Sequence, residues 1–347
     1  MSTKDDIRKL FETGFREPRP WIDWYFGSVY ADSKAMITYA GDRPASCLMI
    51  DPYKLKLASK FIDMAYISCC TTAPQYRSQG HMGRLITDAL LESAARSSAV
   101  ASLIPASERL FDYYSRFGFA DVFYTDEHHY TALHTFASDD SFIELPADYA
   151  GFHTLECRRR AAVIHSAEDF ANIMADNYLD AGHVIYIADK ETGEPAAMLF
   201  VTVDSHTATV SDILSKAEAA TETAMSILRH KVGECMISVR TPPTENPYNL
   251  RATGMARIIN PLTLLGALAI EYPATEQVIR LRDRIIPDNN AVYIIHDGHV
   301  ERSPSTMRRI TLDIPVDLLA KILFNSERTG RIFSMPSFRP TMALMLD

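Results

Sequence analysis

A chain of 347 residues is longer than one average domain and points to two or three. Its 47% hydrophobic and 23% charged content is that of a globular protein, and no apolar run approaches the ~20 residues that span a bilayer. A net charge of −9 argues against broad, sequence-independent nucleic-acid binding.

The first residues, MSTKDDIRKLF, hold no continuous apolar core, so no secretory signal is expected. Cys47, Cys69, Cys70, Cys157 and Cys235 are scattered, odd in number and without a CxxC, so neither a disulfide framework nor a zinc site is expected. The expectation is a cytoplasmic protein with reduced thiols and no metal.

Ile7, Leu10, Phe11 and Phe15 fall at helical spacing within 4–16, and Pro18 and Pro20 break the pattern. Trp21, Trp24, Tyr25 and Phe26 predict a second helix, read as core packing rather than as the wall of a substrate pocket. Ala35–Tyr39, Ala45–Met49 and Phe61–Cys70 predict antiparallel strands, the first two joined by a Gly41-Asp42 turn, with Lys54 and Lys56 on a solvated strand face.

Met64 to Thr72 is apolar and β-prone, and Pro74 ends it. After Gly80, Met82, Leu85, Ile86, Ala89 and Leu90 trace one face of a helix. Arg77-Ser78-Gln79-Gly80-His81-Met82 therefore stands where a strand hands over to a helix N-terminus. Unpaired N–H groups and the positive end of the dipole favour an anion there, and Gly80 keeps side-chain bulk out of its way. Arg77 and Arg84 add charge. No Gly-Lys-Ser/Thr follows, so the loop is not a nucleotide P-loop, and it lacks the three glycines of a dinucleotide fingerprint.

Ser98–Ile104 predicts a buried strand, Glu108–Arg116 a short helix, and Val122–Ala132 the last strand of a domain ending near residue 137. His128 and His129 face opposite sides of a strand and cannot easily chelate one ion. Arg158-Arg159-Arg160 reads as a solvated helix face. Over 138–250 the order of elements repeats in weaker form: strands at His183–Ala188, Ala196–Val203 and Ala208–Leu214, a helix at Glu218–His230, a strand at Cys235–Val239. Between Asp212 and Thr221 there is neither glycine nor arginine, so that junction offers no cationic anion seat. From 251 on, Ile258–Leu268 predicts a helix. Gln277–Ile285, Ala291–Ile295, His299–Arg302 and Met307–Ile314 predict strands, with a hairpin turn at His296-Asp297-Gly298, and Val316–Phe324 predicts a short helix. Phe338, Met342, Leu344 and Met345 make the tail apolar enough to dock.

Arg77 and Gly80, followed by Tyr114-Ser115-Arg116-Phe117-Gly118-Phe119, resemble the GNAT acetyltransferases. That family carries Arg/Gln-x-x-Gly-x-Gly/Ala after its fourth strand and a tyrosine just before a Gly-Phe or Gly-Tyr pair; Met82 stands here where Gly or Ala is usual. The whole chain, including MARIINPLTLLGAL and Pro340-Thr341-Met342, resembles the Eis (enhanced intracellular survival) branch. The resemblance implies an α+β protein: a catalytic GNAT domain over 1–137, a degenerate GNAT-like domain over 138–250, and a sterol-carrier-protein-like domain over 251–347 whose tail docks in the active site. It implies a hexamer that moves acetyl from acetyl-CoA to a primary amine of an aminoglycoside, polyamine or lysine-type acceptor, with no nucleic-acid or membrane partner.

By the same resemblance Cys70, Thr71 and Thr72 offer backbone groups to the pantetheine arm. Ser78, Gln79, Gly80, His81, Met82 and Gly83 hold the diphosphate with Arg77, and Ser107 also contacts CoA. Tyr114 is the general acid, and Asp347, where an aromatic residue is common in the branch, brings a carboxylate to the acceptor amine. The alternatives are a non-catalytic acetyl-CoA-binding oligomer and an apolar-ligand-binding protein.

Overall fold

The structure is a computed structural model that describes residues 3–243, 249–325 and 329–346. It divides into two compact units, one of 1–123 with 253–340, the other of 124–252 with 341–346.

In the first unit, α1 (Thr3–Gly14) buries Ile7, Leu10 and Phe11, the face its spacing predicts. α2 (Arg19–Trp24) begins behind Pro18 and runs into a wider turn over Tyr25–Val29. Trp21, Tyr25 and Phe26 pack around Phe11 at ring-centroid distances of 5.9, 5.6 and 5.7 Å, so this aromatic group is core. β1 (Ala35–Ala40) and β2 (Arg43–Leu57) meet at the expected tight turn. β2 is one strand of 15 residues, in which buried Leu55 and Leu57 alternate with Lys54 and Lys56. It pairs antiparallel with β3 (Lys60–Thr72). α3 (His81–Ala95), β4 (Val100–Leu103), α4 (Glu108–Ser115) and β5 (Ala120–Tyr130) follow, and the chain leaves the unit after Phe123.

The second unit runs β6 (Phe142–Leu145), α5 (Tyr149–Glu156), β7 (Ala161–Ile164), α6 (Ala167–Leu179), β8 (His183–Asp189), β9 (Pro195–Asp204), β10 (Thr207–Ser215), α7 (Glu218–Val232) and β11 (Met236–Thr241). β10 and β11 are parallel, with α7 as the crossover, and β8, β9 and β10 form an antiparallel meander. Arg159 is not the solvated residue the sequence suggests. It grips Asp212 with both terminal nitrogens, at 3.0 and 2.5 Å, and bonds the Ile213 carbonyl at 2.9 Å. Thr341 lies beside β7, its carbonyl accepting from Val163 N at 2.9 Å.

The chain re-enters the first unit in β12 (Leu250–Ile258), whose Met255–Ile258 pair antiparallel with β4. The predicted helix over Ile258–Leu268 is displaced: α8 spans Pro261–Glu271, and its N-terminus is fixed by the Asn260 side chain accepting from Thr263 N at 3.0 Å. β13 (Gln277–Arg282), β14 (Val292–His296), β15 (His299–Ser303) and β16 (Leu312–Pro315) make a separate sheet in the order β15-β14-β13-β16. Asp297 and Gly298, at φ 50° and 74°, close the β14–β15 hairpin as a two-residue turn. Met307 is fully exposed, so the last strand starts at Leu312 rather than at Met307. α9 (Val316–Asn325) and α10 (Thr329–Phe333) follow, and Phe338 packs edge-on against Tyr272 at 6.0 Å.

Candidate active site

The strand that leads into the basic loop is the third of this chain, and its geometry makes the site. The parallel ladder between β3 and β4 spans Met64–Tyr66 against Val100–Ser102, and β3 runs on to Thr72 past its end. Beyond Ser68 the strand also changes register. Cys47 faces Thr71 while Met49 faces Ser68, so Cys69 and Cys70 stand opposite Leu48 alone. Cys69 takes φ 54° to make this bulge, and its thiol meets the Tyr25 hydroxyl at 3.3 Å. The bulge bends the strand at Cys69 and Cys70, after which Thr71 and Thr72 resume their pairing with Cys47 and Ser46. On the β2 side, Ser46 Oγ lies 2.9 Å from Thr72 Oγ1 and Ala73 N donates to Ala45 O at 2.9 Å, which pins the strand end.

The loop then turns on two left-handed residues, Ser78 at φ 61° and Gly80 at φ 82°. The first helical hydrogen bond of α3 runs from Arg84 N to Gly80 O at 3.1 Å. The amides of His81, Met82 and Gly83 precede it, the usual orphans of a helix start. A Cβ on Gly80 would meet nothing within 4 Å, so the space in front of this helix end is open. Met82, standing where a smaller residue is usual, tucks its side chain against the core cluster of Leu85, Ile86 and Tyr114. Gly83 faces the other wall: a Cβ there would lie 3.5 Å from the Phe117 ring and 3.8 Å from the Tyr113 hydroxyl.

Between β3, α3 and α4 opens a cavity of about 890 Å³. Its lining brings together Cys70, Thr71, Thr72, Arg77, Ser78, Gly80, His81, Met82, Gly83, Ser107 and Tyr114 from separate stretches of sequence. Gln79 does not line it; its side-chain amide turns back to the Gln75 carbonyl at 2.8 Å. Asp347 lies outside the described residues. Tyr114 is buried, its ring edge-on to Tyr113 at 5.3 Å and to Phe119 at 6.2 Å. The Thr71 hydroxyl is buried without a hydrogen-bond partner.

Sequence reading missed part of the wall. Phe15 just after α1, Tyr76 in the loop, and Arg109, Leu110 and Tyr113 on α4 face the cavity, as do Arg116 and Phe117 of the tyrosine–glycine motif, whereas Arg84 does not. Burial pushes the Tyr113 phenol up, Cys70 adds to the shift and Arg116 opposes it. The i, i+4, i+7 spacing of Arg109, Tyr113 and Arg116 was the available signal, but it marks one face of α4 without saying what faces it. Among the described residues no group of three or more His, Cys, Asp or Glu side chains could hold a metal.

Residues 2–122 match the family profile of an acetyltransferase (GNAT) domain. No curated protein matches the chain. Solved structures of similar fold include a GCN5-related N-acetyltransferase from Anabaena variabilis, with TM-score 0.78 and 16% identity, covering 98% of this chain and 97% of that one. A conserved protein of Enterococcus faecalis, described as a probable N-acyltransferase, gives TM-score 0.77 at 13% identity over 94% and 89% of the two chains. Eis1 from Mycobacterium abscessus gives 0.71 at 13% identity over 94% and 88%. At these identities the likeness is one of fold, the mixed α+β GNAT acyltransferase fold. The chain carries a GNAT domain and is an acetyltransferase, an enzyme class whose co-substrate is an acyl-CoA.

Proposed function

We propose that the protein is an acetyl-CoA-dependent N-acetyltransferase of the Eis-like branch, moving acetyl to a primary amine by direct attack in a ternary complex. The observation that carries this reading is the convergence on one cavity of the diverging end of β3, the open N-terminus of α3 and the Tyr114 phenol. The residues fit a pantetheine thioester. An anion finds the amides of His81–Gly83 and the cations Arg77, Arg109 and Arg116, while Cys70–Thr72 give the arm a bent backbone edge and the unpartnered Thr71 hydroxyl.

The thioester supplies an activated acetyl group. The Cys70–Thr72 amides stabilise the oxygen charge that develops when a neutral amine attacks the carbonyl carbon. As the C–S bond breaks, Tyr114 Oη passes its proton to the departing sulfur, and the proton shed by the attacking nitrogen leaves through water and restores the phenol. Transfer from an ordinary phenol to a thiolate is uphill by about 1.5 units, or about 2 kcal/mol, which a concerted step tolerates. An ordinary carboxylate would be about 6 units too acidic to deprotonate an alkylammonium, so Asp347 is assigned to binding and orienting the amine, with water carrying the proton. The acceptor is a small-molecule or lysine-type amine. The proposal extends to three domains over 1–137, 138–250 and 251–347, the second a degenerate GNAT-like domain and the third of sterol-carrier type, in a cytoplasmic hexamer with no nucleic-acid or membrane partner.

Release of CoA thiol from acetyl-CoA, followed across polyamines, aminoglycosides, lysine peptides and arylamines, tests the reading. Turnover with at least one amine class is expected. CoA binding without turnover on any of them would instead support a non-catalytic acetyl-CoA-binding protein.

A further inference from the structure

Arg257, from the MARIINP stretch, has no part in the chemistry above, yet among the described residues it is the largest wholly buried side chain. It belongs to β12 and reaches under the turn that ends α4. Its Nε donates to the Phe117 carbonyl at 2.7 Å, one terminal nitrogen donates to the Ile258 carbonyl at 3.2 Å, and the other to Asp283 Oδ1 at 2.5 Å. Asp283 is itself fixed. Oδ1 also accepts from Ile285 N at 2.9 Å and Ile286 N at 3.1 Å, and Oδ2 from Asn289 Nδ2 at 2.9 Å. A buried arginine held this completely is costly to desolvate, and its position is correspondingly rigid.

The turn it holds is the one that presents Tyr114. Phe117 N donates to Tyr114 O at 2.9 Å and Gly118 N to Ser115 O at 3.0 Å, closing α4, while the Phe117 carbonyl passes on to Arg257. Gly118 must be glycine twice over. It sits at φ 83°, and a Cβ there would stand 3.1 Å from Arg257 Nε and 3.0 Å from Val316 Cγ1. An eight-residue helix such as α4 is too short to hold its own end. A further cavity of about 570 Å³ borders Ser115–Gly118 and the 282–285 loop, so close packing does not finish the task. On the opposite side of the same turn the Phe117 ring faces Gly83 of α3, which sets the width of the active-site cavity.

We propose that Arg257, anchored by Asp283, is a positioning residue for catalysis: it fixes the C-terminal turn of α4, and with it the reach of the Tyr114 hydroxyl and the spacing of α4 from α3. This rests on the acetyltransferase reading with Tyr114 as proton donor. The β12 strand and the loop after β13 thereby become parts of the catalytic apparatus although neither lines the cavity.

The test uses the full chain with Arg257→Lys, which keeps the charge and loses the fork, and Asp283→Asn, which keeps the shape and releases the anchor. Arg257→Lys is expected to lower kcat by about 10- to 100-fold, since a misplacement near 1 Å costs up to about 100-fold, with the KM for acetyl-CoA within about twofold and the alkaline limb of the pH–rate profile shifted. Asp283→Asn follows in the same direction by a smaller factor, because the bond to Phe117 O survives. Hydrogen exchange at the Phe117 and Gly118 amides, read without any substrate, quickens in both. An unchanged kcat in folded Arg257→Lys protein, or a loss confined to KM, overturns the proposal. If the wild type turns over no amine, the enzyme reading fails separately; unchanged exchange at those two amides in the variants then overturns the positioning role by itself.

Discussion

The Tyr114 ring is held edge-on by Tyr113 and Phe119 and is 6% exposed, so removal of its hydroxyl leaves the packing intact. Tyr114→Phe is therefore expected to lower kcat about 100-fold, the lower range for loss of a general acid, while the dissociation constant for CoA stays where it was. Steady-state thiol release with calorimetric CoA binding reads both numbers, and an unchanged kcat would pass the proton-donor role away from Tyr114. The cysteines divide by the same local logic. Burial pushes the Cys47 thiol well up and Cys69 adds to the shift, so Cys47 stays protonated near neutral pH. Cys70 is half-buried on the cavity wall. Iodoacetamide with mass-spectrometric mapping should label Cys70 before Cys47, and saturating CoA should suppress the Cys70 adduct; labelling of Cys70 indifferent to CoA would remove it from the proposed pantetheine groove.

Among the elements, the start of α3 carries the heaviest functional demand. Gly80→Ala puts an L-residue at φ 82°, which costs about 1 kcal/mol of stability, and places a methyl in the open space where the diphosphate is proposed to sit. The KM for acetyl-CoA should rise with little change in kcat; if only the melting temperature moves, the anion does not sit there. α6 supplies the contrast. Ser166 and Asp169 form a reciprocal cap, Asp169 N donating to Ser166 Oγ at 3.1 Å and Ser166 N to Asp169 Oδ2 at 2.8 Å. Ser166→Ala should cost about 1 kcal/mol in urea unfolding and leave turnover unaffected. The loop before α3 was legible because its signals are local: a glycine, flanking cations and a helical apolar face within a few residues. The bulge at Cys69 was not. Nothing in ISCCTT marks a left-handed cysteine, and the register that demands it comes from pairing with β2. β12 escaped notice for a different reason. MARII runs straight into NPLTLLGAL, and two buried apolar elements in succession show no break in hydrophobicity, only the Asn260-Pro261 cap.

For the whole molecule, the division into units bears on where a ligand acts. Every described residue that lines the proposed cofactor cavity belongs to the unit of 1–123 and 253–340, so binding there stabilises that unit by linkage. The linear chain hides this grouping, because 253–340 follows the intervening unit in sequence and joins residues 1–123 through long-range contacts such as the pairing of Met255 with Leu103 and the bond from Arg257 to the Phe117 carbonyl, which no local pattern encodes. Acetyl-CoA at about 100 times its dissociation constant contributes about 2.7 kcal/mol. For a unit of this size each kcal/mol moves the transition by about 2–4 °C, so a rise of roughly 5–10 °C is expected. A fatty acid should leave the transition where it is. Thermal shift with the two ligands side by side separates the readings: a rise with fatty acid alone would favour the apolar-ligand protein, and no rise with acetyl-CoA would mean that the cavity between β3, α3 and α4 does not take the cofactor.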